Sequence, residues 1–456
     1  MKRTKQKILI LLLGVFLVVG LQLKAQETGP YHLLPAVSQS SFLNPAIQNE
    51  TNKLVISVPF LSGTSLAYNP NFPLDALFSQ GLWNYNFFDF YDNLPAFGEG
   101  QASMQFTMFY ASLNYGEYTF SLALADRAHA TTHFNREIIK LIRDGVEPYY
   151  NQDEDFGEGS VYFNHFRELS FGISQRYWKE LDIGIRPKIL FGRTYLDAQD
   201  INFSVETNEQ ENILHLRPEG SFNMAAPLTY TRDTVFEYTF FSPNIVPSDY
   251  SFNLRNIGFA LDAGVVFRPN KFYEISASVL DLGFTGFKHN TFDIEFIDPV
   301  EYKMLYQSYD PEEPGYLESR EALRAFSDSL SYIIAAEDQQ NRIINVMPFK
   351  INVSGKYNVS ETFSLGVSNK FSFYGEQSVN ISSGYIHKNF NRTDIGASVS
   401  AYNFSDFWIG LGVSYTADHF QYFISTENIF GIIQPAGTKR LNLSFGINLL
   451  FTMEKQ

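Results

Sequence analysis

Residues able to do chemistry are few and scattered along this 456-residue chain. It has no cysteine, and so no thiol nucleophile, thiolate metal site, disulfide framework or acylatable residue at a leader cleavage point. Eight histidines stand at 32, 129, 133, 165, 215, 289, 387 and 419. His129 and His133 have the spacing of two ligands on one helical face. Their setting, Ala-His-Ala-Thr-Thr-His-Phe, lacks the acidic residue of a zincin, and a polar strand end explains the pair as well. Ser368, in Gly366-x-Ser368-Asn369, could be a nucleophile with His387 on the next strand as its base. Alternation puts the two on opposite faces, too far apart for a working pair. Asp153-Glu154-Asp155 and Asp310 with Glu312 and Glu313 offer oxygen ligands for Ca²⁺, but without EF-hand spacing; solvated loops account for them. No glycine-rich phosphate loop opens a helix. The expectation is a protein that is not an enzyme and has no cofactor or resident metal.

The elements that carry the remaining polar residues are strands. In Phe349–Asn358, Phe349, Ile351, Val353 and Tyr357 alternate with Lys350, Asn352, Ser354, Lys356 and Asn358. In Leu181–Gly192, Leu181, Ile183, Ile185, Ile189 and Phe191 alternate with Asp182, Gly184, Arg186, Lys188 and Gly192, Leu190 being the exception. Phe407, Ile409, Leu411, Val413 and Tyr415 interleave with Trp408, Gly410, Gly412, Ser414 and Thr416. This period of two puts apolar groups on one face and polar or small groups on the other. A soluble sandwich alternates too, but its strands run about 5–6 residues, whereas a tilted membrane strand needs about 9–11. The segments here run about 10 to 18 residues, so the expected fold is all-β, a transmembrane antiparallel barrel. Arg186, Lys188, Lys350, Asn352 and Lys356 are then candidates to line its lumen, selecting anions or pairing with Asp182 and Asp262. The triplets Asn352/Ser354, Asn380/Ser382 and Asn442/Ser444 read as lumen lining and not as glycan acceptors.

The first 25 residues differ from the rest. Lys2, Arg3, Lys5 and Lys7 precede an apolar run from Ile8 to Leu21, and Ala25 closes the segment, the pattern of a secretory signal peptide. Removing 1–25 leaves 29 basic against 49 acidic residues, a balance that repels nucleic acid. Residues 26–51, with Pro30, Pro35 and Pro45, are too apolar for a free tail and lack strand alternation; they are expected to plug the lumen or its periplasmic mouth, the alternative being an ordinary periplasmic lead-in. The barrel itself is expected over 52–456.

Even strand number, short periplasmic turns and longer outer loops constrain the segmentation. Treating 180–206 as one strand gives about 14: 52–69, 101–115, 117–130, 166–177, 180–206, 252–268, 272–286, 346–358, 361–373, 377–388, 393–403, 406–416, 419–428 and 439–452. Connections at 70–100, 131–165, 207–251 and 287–345 then lie outside. In the last of these, Leu323, Phe326, Leu330 and Ile333 recur at helical spacing, predicting a short helix over the barrel mouth.

Two stretches carry resemblances. Ser444, Gly446, Leu449 and Phe451 resemble the C-terminal signal read by the outer-membrane barrel assembly machinery, although Thr452–Gln456 follow the aromatic where the usual pattern ends at it. Gln39-Ser40, Asn44-Pro45-Ala46 and Pro59-Phe60-Leu61-Ser62-Gly63 resemble the opening of Bacteroidota-type outer-membrane barrels. That group includes the long-chain fatty-acid transporter (FadL) fold, PorV and PorP/SprF-type proteins, and an uncharacterised family with the same Asn-Pro-Ala motif. The resemblance implies a fourteen-stranded barrel with an amino-terminal plug. The expected protein is a monomer in a Gram-negative outer membrane, in contact with its lipid and assembled by that machinery. It passes hydrophobic small molecules or, alternatively, acts as an accessory barrel for type IX secretion, gliding or surface assembly; a lipid hydrolase is the distant third. The expected partner is a hydrophobic ligand or a secretion-system component.

Overall fold

The computed structural model describes residues 30–48, 54–61, 63–72, 94–137, 154–208, 213–232, 239–243, 246, 251–296, 300–303, 334–338, 342–374, 377–404, 406–434 and 438–451. The expected signal peptide over 1–25, the Asp310/Glu312/Glu313 cluster and the helix expected through Leu323 and Ile333 fall outside these residues.

The described chain is almost entirely antiparallel strand. In chain order the wall is built from β1 (Leu54–Ser57 and, after a break, Thr64–Tyr68), β2 (Phe97–Tyr115), β3 (Tyr118–Asn135), β4 (Glu154–Trp178) and β5 (Leu181–Asn208). It continues through β6 (Ile257–Asn270), β7 (Tyr273–Phe287), β8 (Ile343–Val346 and Phe349–Asn358) and β9 (Phe363–Tyr374). β10 (Gln377–Phe390), β11 (Thr393–Tyr402), β12 (Asp406–Thr416), β13 (Phe420–Thr426) and β14 (Leu441–Phe451) complete it. Each pairs with its neighbour in sequence, and β14 returns to β1 with Leu54 opposite Phe451 and Tyr68 opposite Leu441. The sheet is therefore a closed ring. Its twenty strands reduce to fourteen staves once β1 and β8 are each counted once and the four strands above the ring are set apart.

Those four strands, Ile213–Ala225, Thr291–Phe296, Val300–Lys303 and Ile334–Asp338, extend the sheet beyond the upper half of β5. A separate hairpin joins Leu228–Arg232 to Thr239–Pro243. The connections expected at 207–251 and 287–345 thus contain strands, and that at 131–165 is shorter than expected, because β3 runs to Asn135 and β4 starts at Glu154. Above the apolar band no lipid face imposes the alternation that marks a stave in the sequence; there Phe292 and Ile294 bury themselves against Phe222, Met224 and Leu228 instead. A five-residue helix not foreseen in the sequence, α1 (Ile429–Ile433), precedes β14, with the Asn428 side chain accepting from the Gly431 N–H at 3.1 Å.

Short turns close one end of the ring. Gly116, at φ +63°, and Asn391, at φ +63°, supply the left-handed backbone that tight turns need between β2 and β3 and between β10 and β11. Faces follow from strict alternation. Along β6, Phe259, Leu261, Val265 and Phe267 point out and are exposed, whereas Ala260, Asp262, Gly264 and Val266 point in and are buried. Along β5, Ile183, Ile185 and Ile189 point out while Asp182, Arg186 and Lys188 are buried. A water-soluble core would have the opposite arrangement. At the short-turn end the outer face carries exposed aromatics, among them Tyr115, Trp178, Tyr273, Tyr357 and Phe390, the girdle expected at a membrane–water boundary.

Candidate functional site

Pro30–Gln48 lie inside the ring, in its short-turn half. Proline at 30, 35 and 45 prevents a continuous helix, and the segment folds as two 3-10 turns, Tyr31–Leu33 and Ser38–Phe42. Its apolar side chains Tyr31, Leu33, Leu34, Val37, Phe42 and Leu43 cluster with Tyr110, Ala123, Tyr385 and Phe423 of the wall. Its backbone, lacking a ladder of its own, is satisfied by side chains from around the ring. Tyr110 donates to the Ser38 carbonyl at 2.9 Å, Gln421 to Ala36 at 3.2 Å, and Ser278 and Asn352 to Leu43 at 2.6 and 2.9 Å. The Gln39 amide donates to Ser57 Oγ at 2.9 Å and to Asn448 Oδ1 at 2.8 Å.

Asn44, of the Asn44-Pro45-Ala46 motif, donates to the Val265 and Ala277 carbonyls at 3.0 and 3.2 Å and accepts from the Ala46 N–H at 2.9 Å. Backbone and wall come so close here that inward positions of β5 and β6 are glycine. A Cβ on Gly184 would stand 2.3 Å from the Pro45 carbonyl, and one on Gly264 would stand 2.0 Å from Asn44 Oδ1.

Immediately beyond the segment lies a buried charge network drawn from six staves. Arg127 of β3 bonds Asp281 through both terminal nitrogens, at 2.7 and 2.8 Å, and Glu168 of β4 at 2.8 Å. Lys188 of β5 reaches Asp281 at 2.6 Å and Asp262 of β6 at 2.8 Å. Lys350 of β8 reaches Asp281 at 2.7 Å, and Arg186 of β5 reaches Asp262 at 3.4 Å while also donating to the Ser41 carbonyl. Asp281 is at the centre. It sits in β7 at φ +60°, where the register against β6 slips between Leu261 and Ala263. This bulge turns its carboxylate toward three cations at once. Removing these groups from water is costly, and the cost is offset because every carboxylate meets at least two cations.

The candidate lumen residues are placed as follows. Arg186, Lys188 and Lys350 join this network, and Asn352 holds the amino-terminal segment. Lys356 pairs with Glu274 at 2.9 Å nearer the short turns, where Arg268 and Arg176 also hold Asp182. Arg127, Glu168 and Asp281 are the members that the sequence does not reveal: they meet through stave order and a bulge, and none stands in a recognisable motif. In the assembly-type signal, Ser444 and Gly446 face inward, Leu449 and Phe451 outward.

Two local expectations change. Ser368 and His387 share the inward face instead of opposing ones, because Val379, Ile381 and Tyr385 point into the lumen and not to the outside. They still do not meet: Ser368 is opposite Ser383, His387 is opposite Ser364, and four strand positions separate them by about 13 Å. For the same reason Asn380 and Ser382 fall on the outward face, bonding Asn369. His129 and His133 are four apart on a strand, so they too stand about 13 Å from one another.

Lumen cavities beside this machinery are small. One of about 20 Å³ lies by Arg127, His129, Asn164 and Met347, and one of about 90 Å³ between the segment and β7–β10. The larger space, about 650 Å³, is a recess on the outer wall formed by Phe171, Pro187, Ile189, Phe259, Leu261 and Leu282. Its base reaches Lys188 and Ala260, inward residues on the other side of the same wall. Pairing is interrupted there, between Ser170 and Ile173 on β4 and at the Asp281 bulge on β7.

Comparison with known proteins gives similarities of fold at low identity. The toluene transporter TbuX of Ralstonia pickettii is 8% identical with a TM-score of 0.47, over 91% of this chain and 94% of that one. A FadL homologue of Pseudomonas aeruginosa is 10% identical with a TM-score of 0.45, over 93% and 96%. The toluene transporter TodX of Pseudomonas putida is 8% identical with a TM-score of 0.40, over 94% and 97%. No curated protein sequence matches the chain. Residues 45–427 match a family model described as a family of unknown function, DUF5723. Over most of its length, therefore, the chain belongs to the family of unknown function DUF5723.

Proposed function

We propose that this protein is a non-enzymatic integral barrel of the outer membrane. Its own amino-terminal segment plugs the periplasmic half of the lumen, and it passes small hydrophobic molecules by way of the wall recess. One observation carries the membrane reading: apolar side chains crowd the outside of the ring while charged and hydroxyl groups crowd its inside. That arrangement is stable only against lipid. The recess supports the passage reading, since an apolar solute dissolved among acyl chains would find there an apolar hollow reaching the lumen wall. In this reading residues 1–25 direct export, the strand carrying Ser444 and Phe451 addresses the barrel assembly machinery, and the short turns face the periplasm.

The test is twofold. Carbonate-washed membranes should retain the protein, and cells carrying it should take up a labelled monoaromatic or fatty acid faster than cells without it. Recovery in the soluble fraction contradicts the barrel; equal uptake contradicts passage. The way the segment fills the lumen favours a second reading, an accessory barrel for secretion or surface assembly. That reading expects a stable protein partner to copurify in detergent, with uptake unaffected.

A further inference from the structure

On the long-connection side of β6–β8 the outer wall ends in a row of three cations. Arg255 precedes β6, Lys288 follows β7 and Arg342 precedes β8. The ends of the three staves are neighbours. Phe259 is opposite Phe284, and Ile344 is opposite Gly286. Arg255 stands four positions beyond Phe259, and Lys288 and Arg342 stand two positions beyond Gly286 and Ile344, each just past the end of its stave, with neighbouring staves about 4.8 Å apart. All three are exposed. In a chain with fifteen more acidic groups than basic ones, none of the three has a carboxylate partner among the described residues. The Arg255 guanidinium meets the His289 ring, at 3.2 Å. Arg342 lies flat across Gly286, where any Cβ would stand 2.2 Å from its terminal nitrogen, and donates to the Ile257 carbonyl. That carbonyl takes one of the five guanidinium N–H groups of Arg342.

Directly below this row the outward face turns apolar. Ile344 and Val346 are exposed, at 63% and 74%. The 650 Å³ recess then opens at Phe259 and Phe284, four residues or roughly 13 Å along the strand from the cations. Cations above and an apolar hollow beneath, on the same three staves, complement one kind of molecule. We propose that this surface seats a membrane lipid with a phosphorylated headgroup: Arg255, Lys288 and Arg342 hold the phosphate, and an acyl chain lies in the recess. A free phosphate would use the row and ignore the hollow. A zwitterionic lipid would fill the hollow and cancel most of its attraction to the row. The proposal rests on the membrane reading above, and the seated chain is what an incoming apolar solute must exchange with.

The full chain in dodecyl maltoside micelles, titrated with phosphatidylglycerol and followed by native mass spectrometry and thermal melting, tests it. Phosphatidylglycerol should give a retained adduct and raise the melting temperature, while phosphatidylcholine and inorganic phosphate should do neither. The triple substitution R255Q/K288Q/R342Q should weaken phosphatidylglycerol binding at least tenfold. R392Q, at the opposite rim and paired with Asp418, should leave it unchanged. Leu282→Trp, which fills the recess and spares the cations, should weaken it also. Equal binding by the triple variant and the parent, or equal response to phosphatidylcholine and phosphatidylglycerol, overturns the lipid seat. Carbonate-resistant membrane retention, measured on the same samples, separates the two readings. Retention without headgroup preference removes the seat and leaves the barrel; loss of retention removes the barrel and the seat with it.

Discussion

Arg186 donates to the Ser41 carbonyl and to Asp262 from the same guanidinium, and stacks over the Phe42 ring at 5.3 Å. One side chain therefore fastens the amino-terminal segment to the wall and to the charge network beyond it. A change in either is felt by the other.

Asp281 is the network's most connected anion. Asp281→Asn retains a residue type that tolerates positive φ but leaves Arg127, Lys188 and Lys350 short of a negative charge. Breaking a buried pair in this way costs about 3–5 kcal/mol. A lowered urea midpoint in lipid vesicles is the expected result; an unchanged midpoint would show that water already reaches the network.

Gly184 and Gly264 leave room for Pro45 and Asn44. Gly184→Val places a branched side chain where the Pro45 carbonyl lies, so the segment should be displaced while the staves remain. In planar bilayers the parent should be closed most of the time and the variant should conduct. Porin-sized, persistent conductance in the parent would contradict the plugged lumen, and silence in the variant would place the seal elsewhere.

His32 gives the segment a pH dependence. Its ring lies edge-on to Tyr385, with centroids 5.6 Å apart. Burial, and secondarily the Lys370 cation, lower its pKa from 6.5 to about 3. The unseated chain takes up a proton near pH 6.5 and the seated one does not. Seating is thus strongest above that pH and weakens as the pH falls toward 3, by up to about 1.4 kcal/mol per unit. Protease cleavage within residues 30–48 should increase between pH 7 and pH 4, and His32→Gln should flatten the profile. A flat profile in the parent contradicts this account.

Ile185 faces out at 46% exposure. An arginine there should cost about 2–4 kcal/mol if it meets hydrocarbon, and little if it meets water. Folding yield into vesicles, with Ile185→Leu as the control, distinguishes the two.

The staves were legible in the sequence because lipid and lumen impose a strict period of two. The length of the segment 181–208 could be recovered only by requiring even parity. The upper parts of β4 and β5 and the strands from Ile213 and Thr291 were not legible, because both of their faces are outside the apolar band. Lys188, Lys350 and Arg186 stood out as charges on an otherwise apolar ribbon. Asp281 did not, since its role depends on a bulge and on a side-chain contact across the lumen with Arg127, 154 residues away. The break in β1 between Ser57 and Thr64 was likewise hidden: Phe60 takes φ +67° and Gly63 φ +114°, a choice set by Gln39 and Tyr31 packing against Gly63 from inside.

Gln39 grips Ser57 and Asn448, which belong to the first and last strands, and this fixes an order of events in biogenesis. The clasp has nothing to close upon until the tail of the chain has zipped against its start, so Gln39 and its neighbours, made early, are among the last to settle. A nascent chain cut short before residue 448 would leave its leader homeless, and protease sensitivity at the front of the protein would report whether the back has arrived.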